Sequence, residues 1–314
     1  MPDRPAIILD CDPGHDDAMA IVVAARHAEL LGITAVAGNA PLERTAYNAR
    51  VMRDLLGIDV PVHSGAERPL VAAPSPAGAI HGASGLDGAE LPPPTRPLDS
   101  TDAVSFIIET CRRRDGVWLV PVGPLTNIAL ALRAAPDLAR RIAGISLMGG
   151  GSFGNRTATG EFNIWADPEA AAAVFGYGGP LVMAGLDVTH QFRATPERIE
   201  QVATLGRADG ANRLAALLAE LLTFFSGTYR QRSEGIDGAP IHDPLAVLAL
   251  THPNLFTSRR RHVAVETAGA LTRGQTVIDE RTVRDRPAAN CDVLTTVDAE
   301  AAFAVLVEAI AHFG

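Results

Sequence analysis

The residues best suited to chemistry lie near the N-terminus, where an apolar run meets a group of carboxylates. Residues 7–17 read IILDCDPGHDD and place Asp10, Asp12, Asp16 and Asp17 within eight positions. Carboxylates so close together repel one another and lose solvation unless a cation lies among them. A helix N-terminus would account for Asp16 and Asp17 by capping and by the helix dipole, but not for the other two. The group therefore predicts a metal site.

The donor atoms favour a particular kind of metal. Ligands that are all oxygen indicate a hard cation, Ca²⁺ or Mg²⁺, and crowded carboxylates with a spare backbone carbonyl suit the larger shell of calcium. The three cysteines, Cys11, Cys111 and Cys291, form no CxxC pair, so the sequence suggests neither a thiolate zinc site nor a disulfide framework. Calcium is the predicted ion.

Two later segments carry residues that could act beside such an ion. Asp243, in His242-Asp243-Pro244, is by itself an ordinary helix start, but a histidine beside a carboxylate can also serve as a general acid near neutral pH. In GEFNIWADPEA, Glu161 and Asn163 are two residues apart, so in an extended loop both would face one way and could hold vicinal hydroxyls. His81, in IHGASG, is either exposed to solvent or directed at a substrate, and the sequence leaves both readings open.

Residues 149–154, GGGSFG, match the Gly-x-Gly-x-x-Gly pattern formally. The residues that follow, NRTATGEFN, do not start a helix, so no helix dipole would face a pyrophosphate. We expect a flexible loop at the site instead of a dinucleotide fingerprint.

Composition excludes several classes of function. The net charge of −9 opposes a surface that follows nucleic-acid phosphates and favours a small-molecule partner. All 27 basic residues are arginine, so mechanisms that need a lysine amine, such as a Walker A loop or a Schiff base, are excluded. The sequence has no leader pattern and no apolar run of about 18 residues, which predicts a cytoplasmic protein without a membrane partner.

Short apolar runs alternate with helical patterns, which predicts a single α/β domain over residues 1–314 with a mostly parallel central sheet flanked by helices. In such a sheet, ligands bind beyond the carboxyl ends of the strands. Two long loops, 70–97 and 230–241, are either lids over the site or plain surface. The predicted strands are 6–9, 33–37, 117–120, 142–148, 181–186, 263–265, 276–278 and 293–296, and the main predicted helices are 16–28, 42–56, 212–229, one near 242 and one after 298.

Motifs along nearly the whole chain resemble the inosine-uridine nucleoside hydrolase family. The first motif, DCDPGHDDA at 10–18, is highly specific, and the others support it. They are GN at 38–39, IHGASG at 80–85, VPVGPLTNIA at 120–129, LMGGG at 147–151, EFNIWADPEA at 161–170 and HDP at 242–244. The resemblance implies a Rossmann-like nucleoside hydrolase fold and hydrolysis of the N-glycosidic bond of ribonucleosides, with a bound Ca²⁺.

The resemblance also implies roles for single residues. Asp12 would be the general base for the attacking water and His242 the acid on the leaving base, with Asp10 as support behind the ligands. The side chains of Tyr229, His81 and Phe162, together with loop 230–241, could line either a purine or a pyrimidine pocket. The implied calcium ligands are Asp12, Asp17, Asp243 and the backbone carbonyl of Val122. The implied ribose contacts are Asp16, Asn39, Asn155, Glu161 and Asn163.

Two other functions remain open at this point. A haloacid-dehalogenase-type phosphatase shares an Asp-x-Asp after its first strand, but its chemistry normally needs a lysine, which this chain lacks. A calcium-dependent nucleoside- or sugar-binding protein could share the fold without catalysis. By family likeness we expect a homo-oligomer, a dimer or a tetramer.

Overall fold

The computed structural model describes residues 4–75, 77–207, 212–232 and 236–314. The strands are β1 (Ala6–Cys11), β2 (Glu29–Ala35), β3 (Val62–Ser64), β4 (Trp118–Pro121), β5 (Gly144–Met148), β6 (Leu181–Ala184), β7 (Arg193–Ala194), β8 (Ala239–Pro240), β9 (Phe256–Arg261), β10 (Val263–Val265), β11 (Thr276–Ile278) and β12 (Cys291–Val297). The α-helices are α1 (His15–His27), α2 (Leu42–Leu55), α3 (Gly78–His81), α4 (Ala103–Arg113), α5 (Thr126–Ala134), α6 (Phe162–Ala166), α7 (Pro168–Phe175), α8 (Leu186–Thr189), α9 (Pro196–Arg207), α10 (Arg213–Arg232), α11 (Pro244–Thr251) and α12 (Ala299–His312).

The largest sheet has eight strands in the order β3-β2-β1-β4-β5-β6-β12-β9. Every neighbouring pair in it is parallel except β12 with β9, which runs antiparallel at the edge. Two small antiparallel pairs, β10-β11 and β7-β8, lie outside it. The predicted α/β fold with a mostly parallel sheet is confirmed.

Burial on both faces explains why β1 is almost wholly apolar. Alternate residues of this strand enter different cores: Ile7 and Leu9 pack with α1, α11 and α12, whereas Ile8 packs with α4 and α5 on the other face. All six residues of β1 are buried. Such a strand has no polar face to present to water, so its first polar side chain, that of Asp10, comes where the strand approaches the end of the sheet.

Several predicted elements shift by a few residues. The strand predicted at 142–148 begins at Gly144, because a 3₁₀ turn at Pro136–Arg140 comes before it. The strand predicted at 181–186 ends at Ala184, and Leu186 already begins α8. The long helix predicted at 212–229 spans Arg213–Arg232.

Several short or peripheral elements were not predicted, among them β3, β9 and α3. β3 has only three residues, and β9 reads FTSRRR at the sheet edge, where arginines replace the apolar alternation that would mark a strand. The long loop at 70–97 contains the short helix α3. Residues 233–235 of the other predicted loop lie outside the described residues. None of the described helices is long and apolar enough to cross a membrane.

Candidate active site

A cavity of about 470 Å³ lies at the carboxyl ends of the parallel strands. Small-molecule sites commonly have volumes of about 300–1,000 Å³, so this cavity can accept a ligand of moderate size. Asp10, Asp12 and Asp17 do not line it. The cavity is lined by all the other residues proposed for the site from sequence, namely Asp16, Asn39, His81, Val122, Asn155, Glu161, Phe162, Asn163, Tyr229, His242 and Asp243.

Five buried carboxyl groups form an acidic cluster at one end of this cavity: Asp10, Asp12, Asp16, Asp17 and Asp243. Oxygen atoms of Asp16, Asp17 and Asp243 lie within 4.8 Å of one another. Asp16 and Asp17 are in the first turn of α1, and Asp243 immediately precedes α11, so two helix N-termini bring these groups together.

Backbone and amide donors hold the cluster in place. One oxygen of Asp17 accepts a hydrogen bond from the backbone N–H of Asp12 at 3.0 Å. The other accepts from Gly14 at 2.9 Å and from the Asn39 side chain at 3.1 Å. Because these donors belong to the turn between β1 and α1 and to the end of β2, the carboxylate of Asp17 is fixed by the fold itself.

Asp12 is held at one oxygen only. Its Oδ2 accepts from the backbone N–H of Asn39 at 2.6 Å, while its buried Oδ1 has no hydrogen-bond partner among the described residues. A Cβ at Gly38 or at Gly123 would collide with this carboxylate, so glycine at both positions allows the backbone to approach it. An orphaned, buried carboxylate oxygen is costly and indicates a missing cation or proton donor.

Asp10 lies behind the others. Its Oδ1 accepts from the Thr34 hydroxyl at 2.5 Å and from the Asn127 amide at 2.7 Å, and it does not line the cavity. Burial raises the pKa of Asp10 to about 7. Its position agrees with a supporting role behind the metal ligands.

Within the described part of the chain, no basic side chain compensates the charge of the acidic cluster. Burial raises the pKa of Asp12, Asp16, Asp17 and Asp243, and the neighbouring carboxylates raise the pKa of Asp12, Asp16 and Asp243 further. No ion pair among the described residues includes a member of the cluster. A divalent cation with oxygen ligands fits this donor set, since it would compensate the charge and satisfy the orphaned oxygen of Asp12.

The cavity is also lined by polar side chains that could bind hydroxyl groups, those of Glu161, Asn163 and Asn155. Glu161 caps α6: its Oε1 accepts from the backbone of Asn163 at 2.9 Å, and its Oε2 accepts from Gly150 at 2.9 Å. The Asn163 amide donates to the carbonyl of Val122 at 2.9 Å. The two residues share the cavity, as predicted, but the predicted reason is wrong, because they lie at a helix start and not in an extended loop. Asn155 accepts from the Phe162 backbone at 2.9 Å, which leaves its amide group available.

A ring cluster, formed by His81, Phe225, Tyr229 and His242, lines the remaining side. His242 Nδ1 lies 2.7 Å from the hydroxyl of Thr189, and its Nε2 lies 3.2 Å from the hydroxyl of Tyr229. Burial lowers the pKa of His242 to about 3 and raises that of Tyr229. At neutral pH both groups are therefore uncharged and interact with a ligand as hydrogen-bonding groups.

With this geometry in place, comparison with known proteins identifies the family. The sequence profile of the inosine-uridine preferring nucleoside hydrolases matches residues 7–304. The chain belongs to this nucleoside hydrolase family. It is an enzyme that acts on N-glycosyl bonds of ribonucleosides.

Relatives cover nearly the whole of this nucleoside hydrolase. The pyrimidine-specific ribonucleoside hydrolase RihA of Shewanella sp. (strain ANA-3) is 44% identical over 98% of this chain and 96% of its own length. Among solved structures, the purine-preferring ribonucleoside hydrolase from Gardnerella vaginalis has a TM-score of 0.90 and 34% identity, with 98% of both chains covered. A plant nucleoside hydrolase has a TM-score of 0.89 and 30% identity, covering 98% of this chain and 99% of its own.

Some residues of the hydrolase site were not found from sequence. His15 contacts His81, and Thr189 contacts His242. His15 stands inside the first motif and could have been noticed there, whereas Thr189 and Phe225 belong to helices whose patterns contain no catalytic signal. Asp187 lies in α8, where its carboxylate accepts from the backbone N–H of Ser152 and supports the glycine-rich loop.

Proposed function

We propose that this hydrolase cleaves ribonucleosides in a calcium-dependent reaction, giving ribose and the free base. The observation that carries the calcium dependence is the acidic cluster, buried, without a basic partner among the described residues, and adjacent to a cavity of nucleoside size. Asp12, Asp17, Asp243 and the carbonyl of Val122 would hold the ion. When bound, calcium supplies charge compensation and a Lewis acid that orients the sugar hydroxyls and lowers the pKa of a coordinated water.

The residues proposed to contact the ribose would favour the build-up of positive charge on the sugar. Cleaving the glycosidic bond gives an oxocarbenium-like transition state, which nearby carboxylates and amide oxygens stabilise. The proposed ribose contacts are Asp16, Asn39, Asn155, Glu161 and Asn163, all of which line the cavity. Since Glu161 is held by three backbone N–H groups, its carboxylate is already oriented before the substrate binds.

Asp12 is the proposed general base. Its Oδ1 has no hydrogen-bond partner among the described residues, so besides contacting the ion it would keep a lone pair that can accept the proton of the attacking water. The backbone N–H of Asn39 holds the other oxygen, so the basic oxygen has one orientation.

His242 and Tyr229 are proposed to protonate the leaving base as a pair. If the Thr189 hydroxyl donates to Nδ1 of the neutral ring, then Nε2 carries the proton and donates to the oxygen of Tyr229. That arrangement leaves the Tyr229 O–H free to donate into the cavity. Tyr229 would give this proton to the leaving base and later regain one from water, while the N–H at Nε2 of the neutral His242 ring stabilises the transient phenolate.

Pyrimidine ribonucleosides are the proposed preferred substrates. The support is the relation to RihA at 44% identity, against 34% for the purine-preferring structure. A cytoplasmic location and a homo-oligomer, a dimer or a tetramer, remain predictions from the sequence.

The deciding experiment is ribose release, measured by a reducing-sugar assay, from uridine, cytidine, inosine, adenosine and guanosine. We expect release from the pyrimidine nucleosides, loss after treatment with a chelator, and recovery on adding Ca²⁺. Release that a chelator leaves unchanged would contradict the calcium dependence.

The binding-protein alternative predicts a different result. It predicts uridine binding by calorimetry with no ribose from any nucleoside, and the same behaviour in the Asp12→Asn variant once calcium is saturating. No binding and no ribose release would contradict both functions.

A further inference from the structure

Four consecutive residues, 273–276, contact the segments before and after Glu161 and have no part in the proposed mechanism. They end at the first residue of β11, which lies outside the eight-stranded sheet, and we call them the clamp segment. As the clamp segment runs forward, its partners run backward along the chain. The pairs are Arg273 with Glu169, Gly274 with Trp165, Gln275 with Gly160 and Thr276 with Gly151. The clamp segment therefore spans the stretch of chain that carries Glu161.

Thr276 contacts the glycine-rich loop, residues 149–154, through its hydroxyl group. Its Oγ1 accepts a hydrogen bond from the backbone N–H of Gly151 at 2.8 Å and donates one to the carbonyl oxygen of Gly151 at 2.8 Å. The side chain of Thr276 is buried, with 3% of its surface exposed. A hydroxyl group can donate and accept at once, so Thr276 satisfies two backbone groups that a valine of the same shape would leave without this partner.

The glycine-rich loop depends on such contacts because it has few side chains of its own to hold it. Gly150 and Gly151 have φ angles of 73° and 146°, which favour glycine, and a Cβ at Gly150 would lie 2.7 Å from Cγ2 of Thr276. The peptide group between the two glycines is held from both sides. Its carbonyl oxygen accepts from the backbone N–H of Leu186 at 2.8 Å, and its N–H donates to Thr276. Removal of the Thr276 hydroxyl would leave one of these two contacts.

The glycine-rich loop in turn orients the carboxylate of Glu161, which is buried and lines the cavity. Oε2 of Glu161 accepts from the backbone N–H groups of Gly150 at 2.9 Å and of Ile164 at 3.1 Å, whereas Oε1 accepts from that of Asn163 at 2.9 Å. A carboxylate oxygen can accept two hydrogen bonds, so Oε1 keeps a position for a ribose hydroxyl. If the N–H of Gly150 moved away from Oε2, the carboxylate could turn, and that position would turn with it.

We propose that Thr276 is a positioning residue: by fixing the glycine-rich loop, it aims the N–H of Gly150 at Glu161 and so orients the carboxylate that accepts a hydrogen bond from a ribose hydroxyl. The inference rests on the proposed function, because it deepens the role of Glu161 as a ribose contact. The group recognised is a hydroxyl of the sugar and not the base. Thr276 should therefore contribute equally to every nucleoside that the enzyme cleaves.

Kinetics of two variants on the calcium-loaded enzyme test this role. Thr276→Val keeps the shape of the side chain but removes both hydrogen bonds, whereas Thr276→Ser keeps the hydroxyl group. We expect Thr276→Val to lower kcat/KM about two- to tenfold, the usual effect of a lost neutral hydrogen bond, and to do so equally on uridine and on cytidine. We expect Thr276→Ser to retain most of the wild-type value. A loss confined to one base, or no recovery with serine, would overturn the proposal.

A double-mutant cycle with Glu161→Gln tests whether Thr276 acts through Glu161. If it does, Thr276→Val should cost less than about twofold in kcat/KM once the carboxylate is gone, because the two residues contribute as one unit. Losses that multiply would overturn the inference and leave the proposed function intact. The same cycle on the Kd for uridine, measured by calorimetry, needs no turnover, so a wild-type protein that binds without releasing ribose still gives an answer. A wild-type protein that neither binds uridine nor releases ribose would reject the inference together with the functions it rests on.

Thr45→Val is the control for removing a buried threonine hydroxyl. Thr45 is also buried and does not line the cavity, and its Oγ1 lies 2.9 Å from the carbonyl oxygen of Val36 and 3.1 Å from that of Leu42. We expect Thr45→Val to lower Tm, as Thr276→Val should, but to keep kcat/KM for uridine within about twofold of the wild type. Equal losses of kcat/KM in the two variants would show a general effect of a weakened fold, and would reject the proposal.

Discussion

The acidic cluster and the ring cluster face the same cavity but are built differently. Members of the acidic cluster follow β1 or precede α11, and backbone N–H groups fix the orientation of Asp12 and Asp17. In the ring cluster, His81 comes from the short helix α3, whereas Phe225 and Tyr229 come from α10. Those side chains are positioned by one another, through stacking and side-chain hydrogen bonds.

This difference suggests that the acidic cluster and the ring cluster have separate functions. Carboxylates that strand ends and helix N-termini hold in place keep one geometry. The proposed reaction at a ribose beside a bound ion requires such a fixed geometry. Rings on helices outside the sheet can be exchanged without disturbing the sheet. We infer that the acidic cluster serves the reaction common to all substrates and that the ring cluster selects and protonates the base. The following predictions test that separation.

The largest effect is expected at Asp12. Asp12→Asn removes the basic oxygen with little change in volume, so kcat should fall by about 10²–10⁴ on every nucleoside, the range typical of a lost general base. Ribose release at saturating calcium measures it. Asp12→Ala should also weaken calcium binding, measured by calorimetry. A loss confined to one base would place Asp12 in base selection and contradict the separation.

A smaller effect, dependent on the base, is expected for the ring cluster. Tyr229→Phe and His242→Ala should each lower kcat on uridine by about 10² or less, since general acid catalysis is worth about 10²–10⁴ and an ordered water can replace part of it. If the two act as one relay, the double variant should be no slower than the worse single variant.

A substrate with a good leaving group sharpens that test. A p-nitrophenyl riboside needs no proton on its leaving group, so its turnover should be nearly unchanged in Tyr229→Phe and His242→Ala. Equal losses on this substrate and on uridine would show that the two residues support the fold and not the leaving base. In the purine series, unchanged inosine turnover in His242→Ala would remove the acid role for purines.

Gly14 lies where the two clusters meet. A Cβ at Gly14 would lie 2.5 Å from Nδ1 of His81 and 3.0 Å from the Asn39 amide, so Gly14→Ala must displace a ring that lines the cavity. We expect kcat/KM for uridine to fall about tenfold, while calcium affinity changes little. Gly227→Ala is the matched control, because a Cβ there meets nothing within 4 Å and alanine favours the helix α10. Equal losses in both variants would contradict the steric explanation.

The same difference in construction explains why the sequence predicted the acidic cluster better than the ring cluster. Four members of the acidic cluster were found because they crowd one contiguous motif directly at the end of a predicted strand, and Asp243 was added through the family resemblance. The sheet itself was found because buried parallel strands are continuous apolar runs, as β1 shows. The edge strand β9 was not predicted, because its arginines lie toward solvent and give the strand no apolar pattern.

The ring cluster was only partly predictable. His81 is more than a hundred positions away from the other three residues and meets them through the packing of α3 against α10, which no local pattern encodes. Phe225 reads as an ordinary core residue of an apolar helix. The neutral state of His242 could not be predicted either, because the depth of burial that lowers its pKa is a property of the folded chain.

The smallest expected effect concerns stability and the uncompensated charge of the acidic cluster. Without metal, burial raises the pKa of Asp10 to about 7 and raises the pKa of Asp12, Asp16 and Asp243 well above the ordinary value. The folded state therefore binds protons that the unfolded state releases near pH 4. That contribution is fully present below the unfolded pKa and is lost as pH rises through the folded pKa.

We therefore expect these carboxyls to make the metal-free protein less stable as pH rises from about 4 to about 7, where Asp10 titrates, by up to about 1.4 kcal/mol per pH unit for each carboxyl that the folded state keeps protonated. The buried histidines have the opposite effect below about pH 6.5, so the contribution of the carboxyls is the difference between two slopes, one without metal and one with saturating Ca²⁺. Thermal unfolding at pH 5, 6 and 7 in chelator and in saturating Ca²⁺ measures both slopes, and we expect Tm to fall more, or rise less, with pH in chelator. Equal slopes would mean that the acidic cluster rearranges when no ion is bound, and its fixed geometry would then depend on the ion and not on the backbone.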